Sequence, residues 1–162
     1  IDTYRVGALR LAFYDSSGNL IEFKNSDFGF FYRGNKIAKN FIFVEAVFKA
    51  EKSSFDAVLQ KITEFNSKRE NTQPIRAKTG GSTFKNPDPL NPNLKKAWQL
   101  IDEAGCRGLK KGGAQISEKH CNFMINNNQA CAKDLIDLGN EVQNKVMEKT
   151  GVKLEWEIKI IS

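Results

Sequence analysis

The stretch Gly80-Gly81-Ser82-Thr83-Phe84-Lys85-Asn86-Pro87 sets a serine behind two glycines and closes with a lysine, an asparagine and a proline. Glycine permits turns that other residues resist, and proline ends regular structure, so the stretch reads as an exposed loop that brings a hydroxyl and polar side chains to a ligand. The chain ends in Trp156-Glu157-Ile158-Lys159-Ile160-Ile161-Ser162. Here Trp156, Ile158 and Ile160 alternate with Glu155, Glu157 and Lys159, which predicts a last strand over 152–161 with its apolar face on a core. A carboxylate on a strand end can act together with a loop serine.

Outward from these two segments the pattern is that of strands first and helices later. Leu9, Leu11 and Phe13 alternate with Arg10, Ala12 and Tyr14, and the loop Asp15-Ser16-Ser17-Gly18-Asn19 leads into Leu20–Phe23, a hairpin pattern. An aromatic segment ending in Arg33 and Gly34 precedes an apolar strand, Phe41–Phe48. Arginine between an aromatic run and a glycine is placed to be presented to a ligand. Phe55, Val58, Leu59, Ile62 and Phe65 then follow helical spacing, with Ser53 and Asp56 as a capping box and an end near Arg69. Residues 71–92 hold all four prolines. Leu94, Ala97, Trp98 and Ile101 mark a second helix stopped by Gly105, residues 122–126 a short strand, and Leu135, Leu138, Val142 and Val146 a third helix ending near Gly151. The composition changes near residue 50, and the order of elements is α+β.

With 162 residues, 40% hydrophobic and 27% charged, the chain can bury a core, and no apolar run is long enough to cross a bilayer. It opens on Ile1-Asp2-Thr3-Tyr4-Arg5, without methionine and unlike a signal peptide, as a fragment or processed chain would. Cys106, Cys121 and Cys131 make an odd set without CxxC spacing, which argues against disulfides and a zinc site and for a reducing cytoplasm. His120 beside Cys121 reads as a strand-edge histidine next to a buried thiol, since neighbours on a strand face opposite ways. The net charge of +6 is scattered. It admits a solvated surface, or a local anion site where Lys110-Lys111 adjoin Gly112-Gly113.

Four ordered segments resemble UDP-N-acetylenolpyruvoylglucosamine reductase, also called UDP-N-acetylmuramate dehydrogenase. They are Phe28-Gly29-Phe30-Phe31-Tyr32-Arg33, Gly81–Pro87, Gly112-Gly113-Ala114-Gln115-Ile116-Ser117 with His120–Asn126, and Glu157–Ile161. The resemblance covers nearly everything from residue 8 and implies the C-terminal portion of that enzyme. The implied fold is a remnant of a flavin-binding domain over 1–50, followed over 51–162 by an α/β substrate-binding domain with a mixed sheet and flanking helices. The implied reaction reduces an enolpyruvyl UDP-sugar with FAD and NADPH in bacterial peptidoglycan synthesis, by a cytoplasmic monomer with no nucleic acid, membrane or metal involved. The resemblance further implies Ser82 as proton donor, Arg33 and Glu157 around the substrate carboxylate and developing enol, and Asn86 on the diphosphate. Arg76 and Lys78 are candidate phosphate contacts from charge. The FAD-binding glycine-rich loops of the family are absent from the 162 residues. The competing reading is a basic RNA or polyanion module, though the phenylalanines fall on core-periodic positions rather than on a stacking platform.

Overall fold

A computed structural model describes residues 8–37, 40–88, 91, 93–127 and 129–161, without the side chains of Ala8 and Leu9. The sequence readings at Ile1–Arg5, the Leu9 side chain, Pro89, Pro92 and Ser162 lie outside the described residues. The chain divides into two compact units, residues 1–57 and 58–162, at a point beyond the composition change near residue 50.

In the first unit β1 (Ala8–Tyr14) sits between β2 (Leu20–Lys24) and β3 (Ile42–Phe48), and both pairings are antiparallel. The alternation in β1 puts Leu11 and Phe13 on a buried face, where they pack with Phe28 at the end of the short helix α1 (Asn25–Phe28). The Phe13 ring lies 5.3 Å from that of Phe28, 5.9 Å from Phe23 and 5.4 Å from Phe43, so aromatic edges and faces supply most of this small core. On the other face Arg10 pairs with Glu22 and Glu45, tying all three strands.

The helix α2 (Phe55–Thr72) confirms the helical spacing but not the burial it implied, since none of its residues is buried. Phe55 is 79% exposed and Phe65 66% exposed. Its cap differs by one position from the sequence reading: the Ser54 hydroxyl, not Ser53, accepts the Ala57 amide at 3.3 Å.

The second unit carries a four-stranded sheet in the order β4–β7–β6–β5, formed by Lys78–Ser82, Phe123–Asn126, Ala114–Ile116 and Lys110–Lys111. All its described pairings are antiparallel, which corrects the expected mixed sheet. The physical reason is the connections. A two-residue Gly112-Gly113 turn and a short loop over 117–122 leave no room for a crossover among β5, β6 and β7, and β4 adds antiparallel to β7 at the sheet edge. Two helices cover the sheet, α3 (Ala97–Glu103) and α4 (Ala132–Thr150). Leu138, Val142 and Val146 of α4 recur at helical spacing and are fully buried. Each is worth about 1.5–3 kcal/mol, more than the capping of a helix end, so packing rather than capping holds α4. Gly151, with φ 71°, ends α4 as the sequence predicts.

Candidate active site

The site is built where β4 leaves regular pairing. Lys78 and Thr79 lie opposite Asn126 and Ile125, the register then slips across Gly80-Gly81, and Ser82 resumes it opposite Phe123. Gly81 has φ 88°, a conformation that costs a side-chain-bearing residue energy. The Thr79 hydroxyl donates to the Met124 carbonyl at 2.8 Å and accepts the Gly81 amide at 3.2 Å, fixing the irregularity. Such a bulge re-aims the next side chain, here Ser82, which is half-buried.

Asn122 holds the residues behind the serine. Its side-chain oxygen accepts the Phe84 amide at 2.9 Å, its side-chain nitrogen donates to the Phe84 carbonyl at 2.8 Å, and its own carbonyl accepts the Thr83 amide at 2.8 Å. Thr83, fully buried, accepts the Met124 amide on its hydroxyl. No sequence signal assigns either residue this role. Nothing in their periodicity marks them, because their role is to satisfy backbone groups rather than to line a face.

The terminal segment lies against this loop. The Lys85 amide donates to the Glu155 carbonyl at 2.9 Å, Phe84 and Trp156 form one bridge, and the Glu157 amide donates to the Thr83 carbonyl at 2.9 Å. The Glu157 backbone is therefore bonded to Thr83, the residue that follows Ser82. The expected strand over 152–161 does not form beyond that single bridge. Leu154 is the buried anchor, whereas Ile160 is exposed and Ile161 is 93% exposed, so the apolar alternation stops short of the end. Beside the loop lies an apolar cleft of about 440 Å³, lined by residues that include Gly80, Met124, Leu135, Trp156 and Ile158.

Asn86 has a structural partner in the second unit: its side-chain oxygen accepts the amide of Ala97, the first residue of α3, at 3.0 Å. Arg76 is exposed and lies 3.6 Å from Glu70, and Lys78 is exposed on β4. Arg33 belongs to the first unit. Phe31 and Gly34 exchange two backbone hydrogen bonds at 3.0 and 3.1 Å, leaving Tyr32 and Arg33 as the tip of a tight turn. Arg33 has φ 59°, uncommon for a residue with a side chain, and its guanidinium carbon lies 5.2 Å from the Tyr32 ring centroid.

The buried thiol expected at Cys121 is found, while its strand setting and the anion-site reading change. His120 and Cys121 precede β7 rather than lying on a strand. Burial pushes the Cys121 thiol up to about 11, which removes it as a nucleophile, and burial lowers the His120 pKa so that the ring is neutral at pH 7. The Gly112-Gly113 turn is no anion site, because the Asp134 carboxylate fills it. A Cβ on Gly112 would lie 2.5 Å from Asp134, which accepts the Gly113 amide at 3.4 Å and the Cys131 amide at 3.1 Å. These bonds hold the Asp134 pKa below the usual carboxylate value. Lys111 is committed to Glu141 at 3.1 Å.

The family model described as UDP-N-acetylenolpyruvoylglucosamine reductase, C-terminal domain, matches residues 73–161, which include the Ser82 loop and Glu157. The chain belongs to this reductase family. A relative named UDP-N-acetylenolpyruvoylglucosamine reductase from Rickettsia prowazekii (strain Madrid E) is 54% identical over 147 residues, covering 91% of this chain and 48% of the relative. One of the same name from Rickettsia bellii (strain RML369-C) is 52% identical over 153 residues, covering 94% of this chain and 49% of the relative. The crystal structure of UDP-N-acetylenolpyruvylglucosamine reductase from Thermus caldophilus superposes with a TM-score of 0.76 at 30% identity, covering 94% of this chain and 53% of that one. The chain spans about half the length of the curated relatives it matches.

Proposed function

We propose that the chain is the substrate-side portion of an FAD-dependent reductase that uses NADPH to convert UDP-N-acetylglucosamine enolpyruvate to UDP-N-acetylmuramate. The observation that supports this reading is the 2.9 Å bond between the Glu157 amide and the carbonyl of Thr83, the residue that follows Ser82. Reduction adds a hydride to the terminal enol carbon and a proton to the carboxylated carbon, and the second addition is the part assigned to these residues. Ser82 gives the proton, and Glu157 stabilises the developing enol and helps deliver that proton. Arg33 neutralises the substrate carboxylate, and Asn86, steadied by its bond to α3, contacts the UDP diphosphate. Residues 1–50 are assigned as a remnant of the flavin domain and residues 51–162 as the substrate domain.

The Gly80-Gly81 and Gly112-Gly113 turns do not fit the FAD diphosphate. The Gly81 amide is spent on Thr79 and the Gly113 amide on Asp134, whose negative charge would repel a phosphate. FAD is therefore assigned to protein outside the described residues, and none of the steps above is drawn through it. Uncovered apolar side chains support the portion reading. Ile42, Phe43 and Val44 on β3, and the apolar positions of α2, form faces of the kind a larger fold covers.

The polyanion reading is not favoured. Part of the basic charge is paired locally, with Arg107 on Asp102 and Lys95 on Glu103 at 2.7 Å, Lys133 on Asp137 at 2.5 Å and Lys111 on Glu141. In the described residues no helix is long and apolar enough to cross a membrane and no group of ligands could hold a metal ion.

Arg33→Gly in the complete reductase tests the assignment. Glycine accepts φ 59° without strain but adds unfolded-chain freedom, so stability should stay within about 1 kcal/mol. Substrate reduction should fall by roughly a hundredfold or more with the cation gone. Denaturation and single-turnover rates measure both, and a variant that keeps its rate contradicts the role of Arg33.

A further inference from the structure

Gly139 sits in the interior of α4, where glycine costs about 0.5–1 kcal/mol relative to alanine. Its φ lies outside the left-handed region, so backbone geometry does not demand glycine there. The explanation is a side chain. A Cβ built on Gly139 would lie 1.9 Å from Cη2 of Trp156, 2.6 Å from Cζ2 and 2.8 Å from Cζ3. The missing methyl is a notch, and the outer edge of the indole fills it. The inner part of the same ring packs on Phe84, with centroids 5.0 Å apart.

Trp156 immediately precedes Glu157, in a segment that lacks the ladder of a regular strand. What holds that segment can be named. Gln143 on α4 donates its side-chain amide to the Leu154 carbonyl at 2.8 Å, Lys85 donates to the Glu155 carbonyl at 2.9 Å, and Glu157 donates to the Thr83 carbonyl at 2.9 Å. Beside the fully buried Leu154, Trp156 is wedged between α4 and Phe84, the residue two places after Ser82. Moving the indole out of the notch by the width of a methyl group shifts the peptide that carries Glu157. The loop serine, held separately by Asn122 and β7, stays in place.

We infer that Trp156, seated in the Gly139 notch, is the positioning residue that sets Glu157 against Ser82. This inference rests on the proposed reductase chemistry. It adds that helix α4, through a matched large and small side chain, contributes to the precision of the pair beside the backbone bonds to Thr83 and Lys85.

The test is kinetic, in the complete reductase. Gly139→Ala should lower kcat by roughly ten- to a hundredfold while KM for the enolpyruvyl UDP-sugar changes little, the loss that misplacing a reacting group by about 1 Å produces. Adding Trp156→Phe, whose shorter ring does not reach the new methyl, should recover most of the lost rate. Should Gly139→Ala fail to fold, Trp156→Leu provides the second measurement. It should slow turnover about tenfold in the wild-type background and have no further effect when Glu157 is already glutamine, because the two then act through one group.

A folded Gly139→Ala protein with unchanged kcat overturns the inference and leaves the functional reading standing. So does a Trp156→Leu effect that is the same with and without the Glu157 carboxylate. A wild-type protein that does not reduce the substrate overturns the functional reading, and the inference with it.

Discussion

Asn122→Ala is expected to cost roughly 2–5 kcal/mol of folding stability, because one side chain satisfies both polar groups of the buried Phe84 backbone. Each orphaned group costs about 1–3 kcal/mol when no partner replaces the lost one, and alanine supplies none. That is a large share of the 5–15 kcal/mol typical of a domain. Asn122→Asp is expected to fall between the two proteins, since it keeps the acceptor for the Phe84 amide and loses the donor to the Phe84 carbonyl. Urea unfolding of the three proteins measures the order. A loss below about 1 kcal/mol for alanine would show that the clamp contributes little.

Ser82→Ala is the substitution expected to act on rate alone. Its backbone is paired opposite Phe123 and its neighbours are held by Asn122 and Thr79, so the fold does not depend on the hydroxyl. Removing a general acid costs about 10²–10⁴ in rate. In the complete reductase, reduction of the protein by NADPH should continue nearly unchanged while turnover of the enolpyruvyl substrate slows by that factor. Rapid-mixing measurements of the two half-reactions separate these outcomes. An unchanged substrate half-reaction would remove Ser82 from the chemistry.

The contrast between α4 and α2 shows what periodicity carries. Both helices have apolar residues at helical spacing, and both form. Only α4 has its stripe buried, because burial depends on what else packs there, and spacing cannot say that. The terminal segment shows the converse. Its alternation of Trp156, Ile158 and Ile160 resembles a strand, yet a strand needs a partner along its length, and here the partner backbone is engaged only around Thr83 and Lys85. The Gly112-Gly113 turn looked like an anion cradle because adjacent lysines and glycines suit one. The carboxylate that fills it comes from Asp134, more than twenty residues away. The Ser82 loop was legible because glycines and a proline leave local marks. Asn122 and the Gly139 notch were not, because each is defined by a distant partner.

The Ser82 loop and Glu157 are expected to form one face for a UDP-sugar. The most direct measurement is a titration of the 162-residue chain with UDP-N-acetylglucosamine, followed by the backbone amide resonances of Ser82, Thr83 and Glu157. These three should shift together and saturate, with weak affinity, while FAD should produce no saturable shift anywhere in the protein. Tight one-to-one binding of FAD, or a UDP-sugar response that leaves Ser82 and Glu157 unmoved, would contradict this expectation.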